Sequence, residues 1–185
     1  MANIILVTGG TRSGKSSYAL QLAENKAAPH CFIATCGVSD PEMAVRVKKH
    51  QDERSGNMWK TVEETDNLLS AFTENINYSF YIVDCLTLWI SNIMERCHHA
   101  STSCEENDIK REIDQLFAYL EKIDGTVVFV TNEIGMGIVP ENRLARRYRD
   151  LVGYCNRIVA ARADDVVLVS CGLPLYLKKT LKGTS

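Results

Sequence analysis

Four apolar residues, Ile4-Ile5-Leu6-Val7, lead through Thr8 into Gly9-Gly10-Thr11-Arg12-Ser13-Gly14-Lys15-Ser16, and a helix-length amphipathic stretch follows. The eight-residue segment fits GxxxxGK[ST], and the strand before it and helix after it are the context that gives this pattern meaning. Glycines let successive backbone N–H groups turn inward around phosphate oxygens, and the helix presents its positive end to them. Lys15 is then placed to neutralise the outer phosphates of a nucleoside triphosphate, and the Ser16 hydroxyl to hold Mg²⁺. The segment therefore predicts nucleotide contacts from Gly9, Gly10, Thr11, Arg12, Ser13, Gly14, Lys15 and Ser16. The competing reading is a tight strand–helix turn that uses glycine for geometry alone.

The rest of the chain repeats the alternation. Apolar runs at Cys31–Ala34, Phe80–Val83, Val127–Val130 and Val166–Val169, with a shorter candidate at Thr61-Val62, are separated by helical patterns at 16–26, 41–54, 66–75, 86–97, 108–123 and 142–163. Continuous rather than alternating apolar strands between helices predict a mostly parallel sheet covered on both faces, an α/β fold. At 185 residues this is the size of one domain. Residues 98–107 read as an exposed polar loop and 179–185 as a loose tail.

Composition narrows the function. Lys and Arg number 21 against 23 Asp and Glu, a net charge of −2, so the strongly basic footprint of an electrostatic nucleic-acid binder is missing. No apolar run approaches the roughly 18 residues of a membrane span, and no signal peptide precedes the first strand. The seven cysteines are odd in number and include no CxxC pair, which argues against a disulfide scaffold or zinc ribbon. A reducing cytoplasm is the expected setting. Cys97-His98-His99 with Cys104 imitates a metal cluster, but it lies in the Ser/Thr-rich loop without a second ligand pair.

Three further segments carry candidate chemistry. Asp84 ends the run Phe80–Val83, and a carboxylate at a strand's carboxyl end beside a phosphate loop is suited to Mg²⁺; the alternative is a cap for the helix beginning at Leu86. Thr131-Asn132-Glu133 ends the next run in the same way. Ser39-Asp40-Pro41-Glu42 starts a helix on which Glu42, Arg46, His50 and Arg54 form one stripe. Two guanidiniums one turn from His50 favour neutral imidazole, a nucleophile or base, whereas the plain reading is a solvated polar face. Finally, residues 132–142 form a long connection with glycines at 135 and 137. A helix capped by Asn142 follows, carrying Arg143, Arg146, Arg147 and Arg149.

Taken together, Gly9–Ser16, Asp40…Glu42-Met43…Arg46…His50…Arg54…Trp59, Asp84-Cys-Leu-Thr-Leu-Trp, the stretch Asn132-Glu-Ile-Gly-Met-Gly-Ile-Val-Pro-Glu-Asn-Arg, and the closing Gly172-Leu-Pro-Leu resemble the bifunctional adenosylcobinamide kinase/adenosylcobinamide-phosphate guanylyltransferases. The resemblance spans about residues 3–178. It implies a RecA-like P-loop NTPase fold, a homotrimer, a cytoplasmic role in cobalamin biosynthesis, and ATP, GTP and Mg²⁺ as the small molecules used. It implies phosphorylation of adenosylcobinamide and then transfer of GMP to that phosphate through a guanylylated histidine. His50 stands at the nucleophile's position, with Lys15 and Asp84 as the other catalytic residues. Thr35, Arg46, Gln51, Asp52, Glu53, Arg54, Glu63 and Asp84 stand at nucleotide-contacting positions. Ser16 and Asp84 are the metal ligands. Arg157 stands where Gln is usual. A single-activity P-loop kinase and a RecA-like oligomeric ATPase are the rival functions.

Overall fold

Seven strands form one sheet in the order β3-β2-β4-β5-β1-β6-β7 in a computed structural model that describes residues 1–37 and 58–180. The strands are β1 (Asn3–Thr8), β2 (His30–Ala34), β3 (Trp59–Glu63), β4 (Phe80–Asp84), β5 (Thr126–Val130), β6 (Asp165–Ser170) and β7 (Leu173–Lys178). All neighbouring pairs are parallel except β6 with β7. The described helices are α1 (Lys15–Gln21), α2 (Leu68–Glu74), α3 (Leu86–His99), α4 (Glu106–Leu120) and α5 (Arg143–Arg162).

The apolar runs form strands because both sheet faces are dry. On one face, Ile4, Leu6, Ile33, Val83 and Phe129 pack with Trp89, Ile90 and Ile93 of α3, Ile109 and Ile113 of α4 and Val159 of α5. On the other, Ile5, Val7, Phe32, Ile82 and Val128 meet Ala19 of α1 and Ala23. Each fully buried aliphatic side chain contributes roughly 1.5–3 kcal/mol relative to exposure, so this two-sided burial stabilises the parallel ladder. Trp89 is buried, and its indole N–H donates to the Asp66 carbonyl at 2.9 Å, satisfying the one polar atom it takes into the core.

Element ends differ from the sequence reading where local hydrogen bonding decides them. α3 runs on through His98 and His99, and the Arg96 guanidinium in the same last turn suits the negative end of a helix. α4 starts at Glu106, two residues early, because the Glu105 and Asp108 side chains form a reciprocal capping box. The expected polar loop therefore shrinks to residues 100–105. β7 was not anticipated, since Pro174 argues against a strand; at the sheet edge its missing N–H costs no ladder bond. Of the expected tail 179–185, Thr180 is tied down: its N–H donates to Asp165 Oδ1 at 3.0 Å and its hydroxyl to the Asp164 carbonyl at 2.7 Å, whereas 181–185 lie outside the described residues. No described helix is long and apolar enough to cross a membrane.

Candidate active site

Strand register gathers the candidate residues at one edge. Glu63 pairs with Ala34, Ala34 with Asp84, Asp84 with Val130, and Val130 with Val7. The carboxyl ends of β3, β2, β4, β5 and β1 are thus level, and the glycine-rich loop leaves β1 in the same row. Ligands in open parallel sheets bind at this edge.

The loop is held tightly at its glycines. Gly9 has φ +153, and a Cβ there would lie 2.3 Å from the Val169 carbonyl oxygen. Gly14 has φ +96, and its Cβ would meet the Gly172 Cα at 3.2 Å. Arg12, at the exposed tip, also has positive φ (+57). Lys15 is folded into the loop, with Nζ donating to the Gly10 carbonyl at 2.8 Å. Burial lowers its pKa from the usual lysine value, and the Asp84 carboxylate opposes that shift. Lys15 and Asp84 therefore feel each other electrostatically across the edge. Ser13 Oγ is buried without a hydrogen-bond partner among the described residues, an orphan that a phosphate oxygen would satisfy. Ser16 is half-buried at the start of α1.

Asp84 is not the cap of α3; Cys85 holds that position. Thr35 is fully buried, and its hydroxyl donates to the Cys85 carbonyl and accepts from the Cys85 N–H, both at 2.7 Å. Its side chain thus supports the turn carrying Asp84. Burial pushes the neighbouring Cys85 thiol up to about 11, beyond the range of a reactive thiolate. Glu63 is exposed at the end of β3. Arg46, His50, Gln51, Asp52, Glu53 and Arg54, with the whole predicted helix 41–54, lie outside the described residues.

The segment after β5 is anchored by a polar network. The Glu133 N–H donates to the Gly9 carbonyl at 3.0 Å, and Glu133 Oε1 accepts from Thr8 Oγ1 and Asn156 Nδ2, each at 3.2 Å. Asn156, 8% exposed on α5, also accepts from Thr131 Oγ1 at 2.7 Å and donates to the Asn132 carbonyl at 3.2 Å. Sequence reading passed over Asn156 and Thr8. The available signal was a polar side chain on the otherwise apolar face Leu151, Val152, Cys155, Val159.

The arginines divide as follows. Arg146 donates to the Pro140 and Glu141 carbonyls, and Arg147 binds the Cys104 carbonyl and Glu105. Arg149 faces Asp150 at 3.7 Å. Arg143 and Arg147 line an open cavity of about 650 Å³ to which no residue of 9–16 contributes. Arg157 lies over the Tyr154 ring and borders a groove with Gly135, Gly137 and Val139. The ligand atoms of Cys97, Cys104 and Asp108 come within 4.8 Å of one another, without His98 or His99. Both Asp108 oxygens are already engaged, one by the Glu105 N–H at 2.9 Å and the other by Arg111 at 3.0 Å. Burial beside Cys97 raises the Cys104 thiol to about 12.

The arrangement is that of a nucleotide-using P-loop enzyme, and comparison with known proteins agrees. A solved type III secretion system ATPase superposes with TM-score 0.54 at 10% identity, covering 94% of this chain and 56% of that one, a likeness of fold alone. The bifunctional adenosylcobalamin biosynthesis protein CobU of Salmonella typhimurium is 40% identical, covering 95% of this chain and 99% of that protein. CobU of Escherichia coli is 37% identical over the same shares, and CobP of Pseudomonas aeruginosa is 34% identical over 94% and 96%. The family described as cobinamide kinase / cobinamide phosphate guanyltransferase matches residues 5–177. Nearly the whole chain, from β1 through the phosphate loop to β7, belongs to the cobinamide kinase / cobinamide phosphate guanyltransferase family.

Proposed function

We propose that this chain carries out both reactions of its family on one nucleotide site. ATP or GTP first donates its γ-phosphoryl group to the hydroxyl of adenosylcobinamide. GTP then donates GMP to adenosylcobinamide phosphate through a guanylylated His50, giving adenosylcobinamide-GDP and pyrophosphate. The observation that carries this reading is a phosphate loop holding Lys15, with Asp84 at the same carboxyl edge of the sheet, inside a family match covering residues 5–177.

The residues present have assignable work. Backbone N–H groups of Gly9–Ser16 and the Lys15 ammonium bind the triphosphate and stabilise charge as it shifts between phosphates. Ser16 and Asp84 offer the hard oxygen donors that Mg²⁺ takes, and when bound the ion supplies further neutralisation of phosphate charge. Glu63, with Gln51, Asp52, Glu53 and Arg54, is assigned to the rest of the nucleotide, and Thr35 to support of Asp84. His50, kept neutral by Arg46 and Arg54, attacks the α-phosphorus in the second reaction.

A homotrimer acting in the cytoplasm, with no nucleic-acid partner, completes the reading. All six β7 residues are exposed, including Leu173, Leu175 and Leu177, and Ile138 is 96% exposed in the loop after β5. Apolar surface of this kind on an edge strand favours association with another copy.

Incubation with GTP labelled at the α-phosphate tests the covalent step. An acid-labile, base-stable protein label is expected from the parent chain and none from His50→Asn; equal labelling of the two would remove His50 from that role. Product masses from adenosylcobinamide plus GTP separate the bifunctional enzyme from a single-activity kinase.

A further inference from the structure

Two carboxylates stand at the sheet's carboxyl edge on the β4–β5 side of the phosphate loop, Asp84 as the last residue of β4 and Glu133 in the segment after β5, and β5 is the direct neighbour of β1. Asp84 is the one assigned to metal duty. Glu133 is closer to the loop's first residues, since its N–H is bonded to the Gly9 carbonyl. Those first residues embrace the outer phosphate of a nucleotide held with its innermost phosphates toward the helix.

The side chain of Glu133 is fixed from one side only. Oε1 accepts from Thr8 Oγ1 and Asn156 Nδ2 at 3.2 Å, whereas Oε2 has no hydrogen bond among the described residues. Asn156 occupies a buried position on the apolar face of α5, where an amide costs stability unless every polar atom is used. Its Oδ1 is taken by Thr131, and its Nδ2 is shared between the Asn132 carbonyl and Glu133. A helix that gives up an apolar core position to orient one half-buried carboxylate implies that the carboxylate's direction matters.

We propose that Glu133 is the general base of the kinase reaction and Asn156 its positioning residue, a proposal that rests on the functional reading above. As the substrate hydroxyl oxygen bonds to the γ-phosphorus, the β–γ bridging P–O bond breaks and leaves the nucleoside diphosphate. The hydroxyl proton passes to Glu133 Oε2 and later to solvent. The acceptors in the second reaction need no such base. The imidazole of a neutral histidine attacks through its lone pair, and a phosphate monoester, with a second pKa near 6, is already anionic at neutral pH. Loss of the base should therefore separate the two activities.

Glu133→Gln retains an oxygen able to accept from Thr8 and Asn156 and removes only the basicity. The expected result is a fall of about 10²-fold or more in kinase kcat, the scale of general-base contributions, with the nucleotide KM little changed. Labelling by α-labelled GTP, and guanylyl transfer to separately prepared adenosylcobinamide phosphate, should stay within about threefold of the parent, which also reports that the variant is folded. Asn156→Ala should lower kinase kcat more than transferase kcat. A kinase rate unchanged in Glu133→Gln overturns the assignment. Equal loss of both activities also overturns it, marking Glu133 as a brace for the loop. A parent protein lacking both reactions would instead overturn the functional reading on which this one stands.

Discussion

The backbone N–H of Gly172 donates to the carbonyl oxygen of Ser13 at 2.9 Å, so the β6–β7 hairpin closes against the phosphate loop. The contact is continued by Gly14 against the Gly172 Cα and by the hydroxyls of Tyr18 and Tyr176, 3.0 Å apart. The antiparallel edge of the sheet thus holds the loop and the first turns of α1 together.

Gly14→Ala tests that contact. At φ +96 an L-residue costs roughly 1–2 kcal/mol, and the added Cβ would also press on the Gly172 backbone, which has little freedom to retreat. Gly172→Ala, at φ +78 with nothing within 4 Å of its Cβ, carries the conformational cost alone. Gly14→Ala should weaken nucleotide binding at least tenfold and more than Gly172→Ala does, as measured by titration with a fluorescent GTP analogue.

Cys171 offers the opposite outcome. Cys171 and Gly172 connect paired residues Ser170 and Leu173, with successive φ values of +53 and +78. This is a two-residue hairpin of the kind that favours Asn-Gly. Cys171→Asn should stabilise the protein by on the order of 0.5 kcal/mol, read from urea unfolding.

Thr35→Val removes a hydroxyl that serves both the N–H and the carbonyl of Cys85. The buried Cys85 N–H would lose its partner, at about 1–3 kcal/mol, while the Cys85 carbonyl keeps the Trp89 N–H at 3.2 Å. Denaturant unfolding should show a loss of roughly 1–3 kcal/mol. Thr35→Ser, which keeps the hydroxyl, should recover most of it.

His30 sets an acid-side sensitivity. Its ring is buried against Trp59 and Phe80, Nδ1 has no partner among the described residues, and burial lowers its pKa below the free value of 6.5. The unfolded chain then binds more protons than the folded one once pH drops below 6.5, so stability falls from there toward the folded pKa. His30→Phe should flatten this part of the stability–pH curve, seen as a smaller drop in Tm between pH 7 and 5.

Lys15→Ala should abolish kinase and guanylyltransferase turnover together, since both reactions are assigned to one loop. Persistence of either activity in a steady-state assay would require a second nucleotide site.

Much of the site could be read from residue order because its parts are local. Gly9–Ser16 carries its own turn geometry and helix dipole, and Asp84 needs only its place at a strand end. The long-range parts could not be read that way. Nothing near Thr35 in the chain shows that its hydroxyl serves Cys85, 50 residues away. Asn156 gives no local sign that it orients Glu133 from another element. β7 was hidden by Pro174, whose compatibility with a strand depends on that strand being at the edge.

Residue order alone sets the parallel α/β sheet, the phosphate loop and the strand-end carboxylate, which follow from periodicity, glycine stereochemistry and motif spacing, and it carries the resemblance to the family. Tertiary structure alone decided which backbone the Gly14 surface meets, which oxygen of Glu133 is left to act, and what fastens the loop from behind. Those outcomes depend on hydrogen bonds and contacts between elements far apart in the chain, whose geometry exists only after the sheet has assembled.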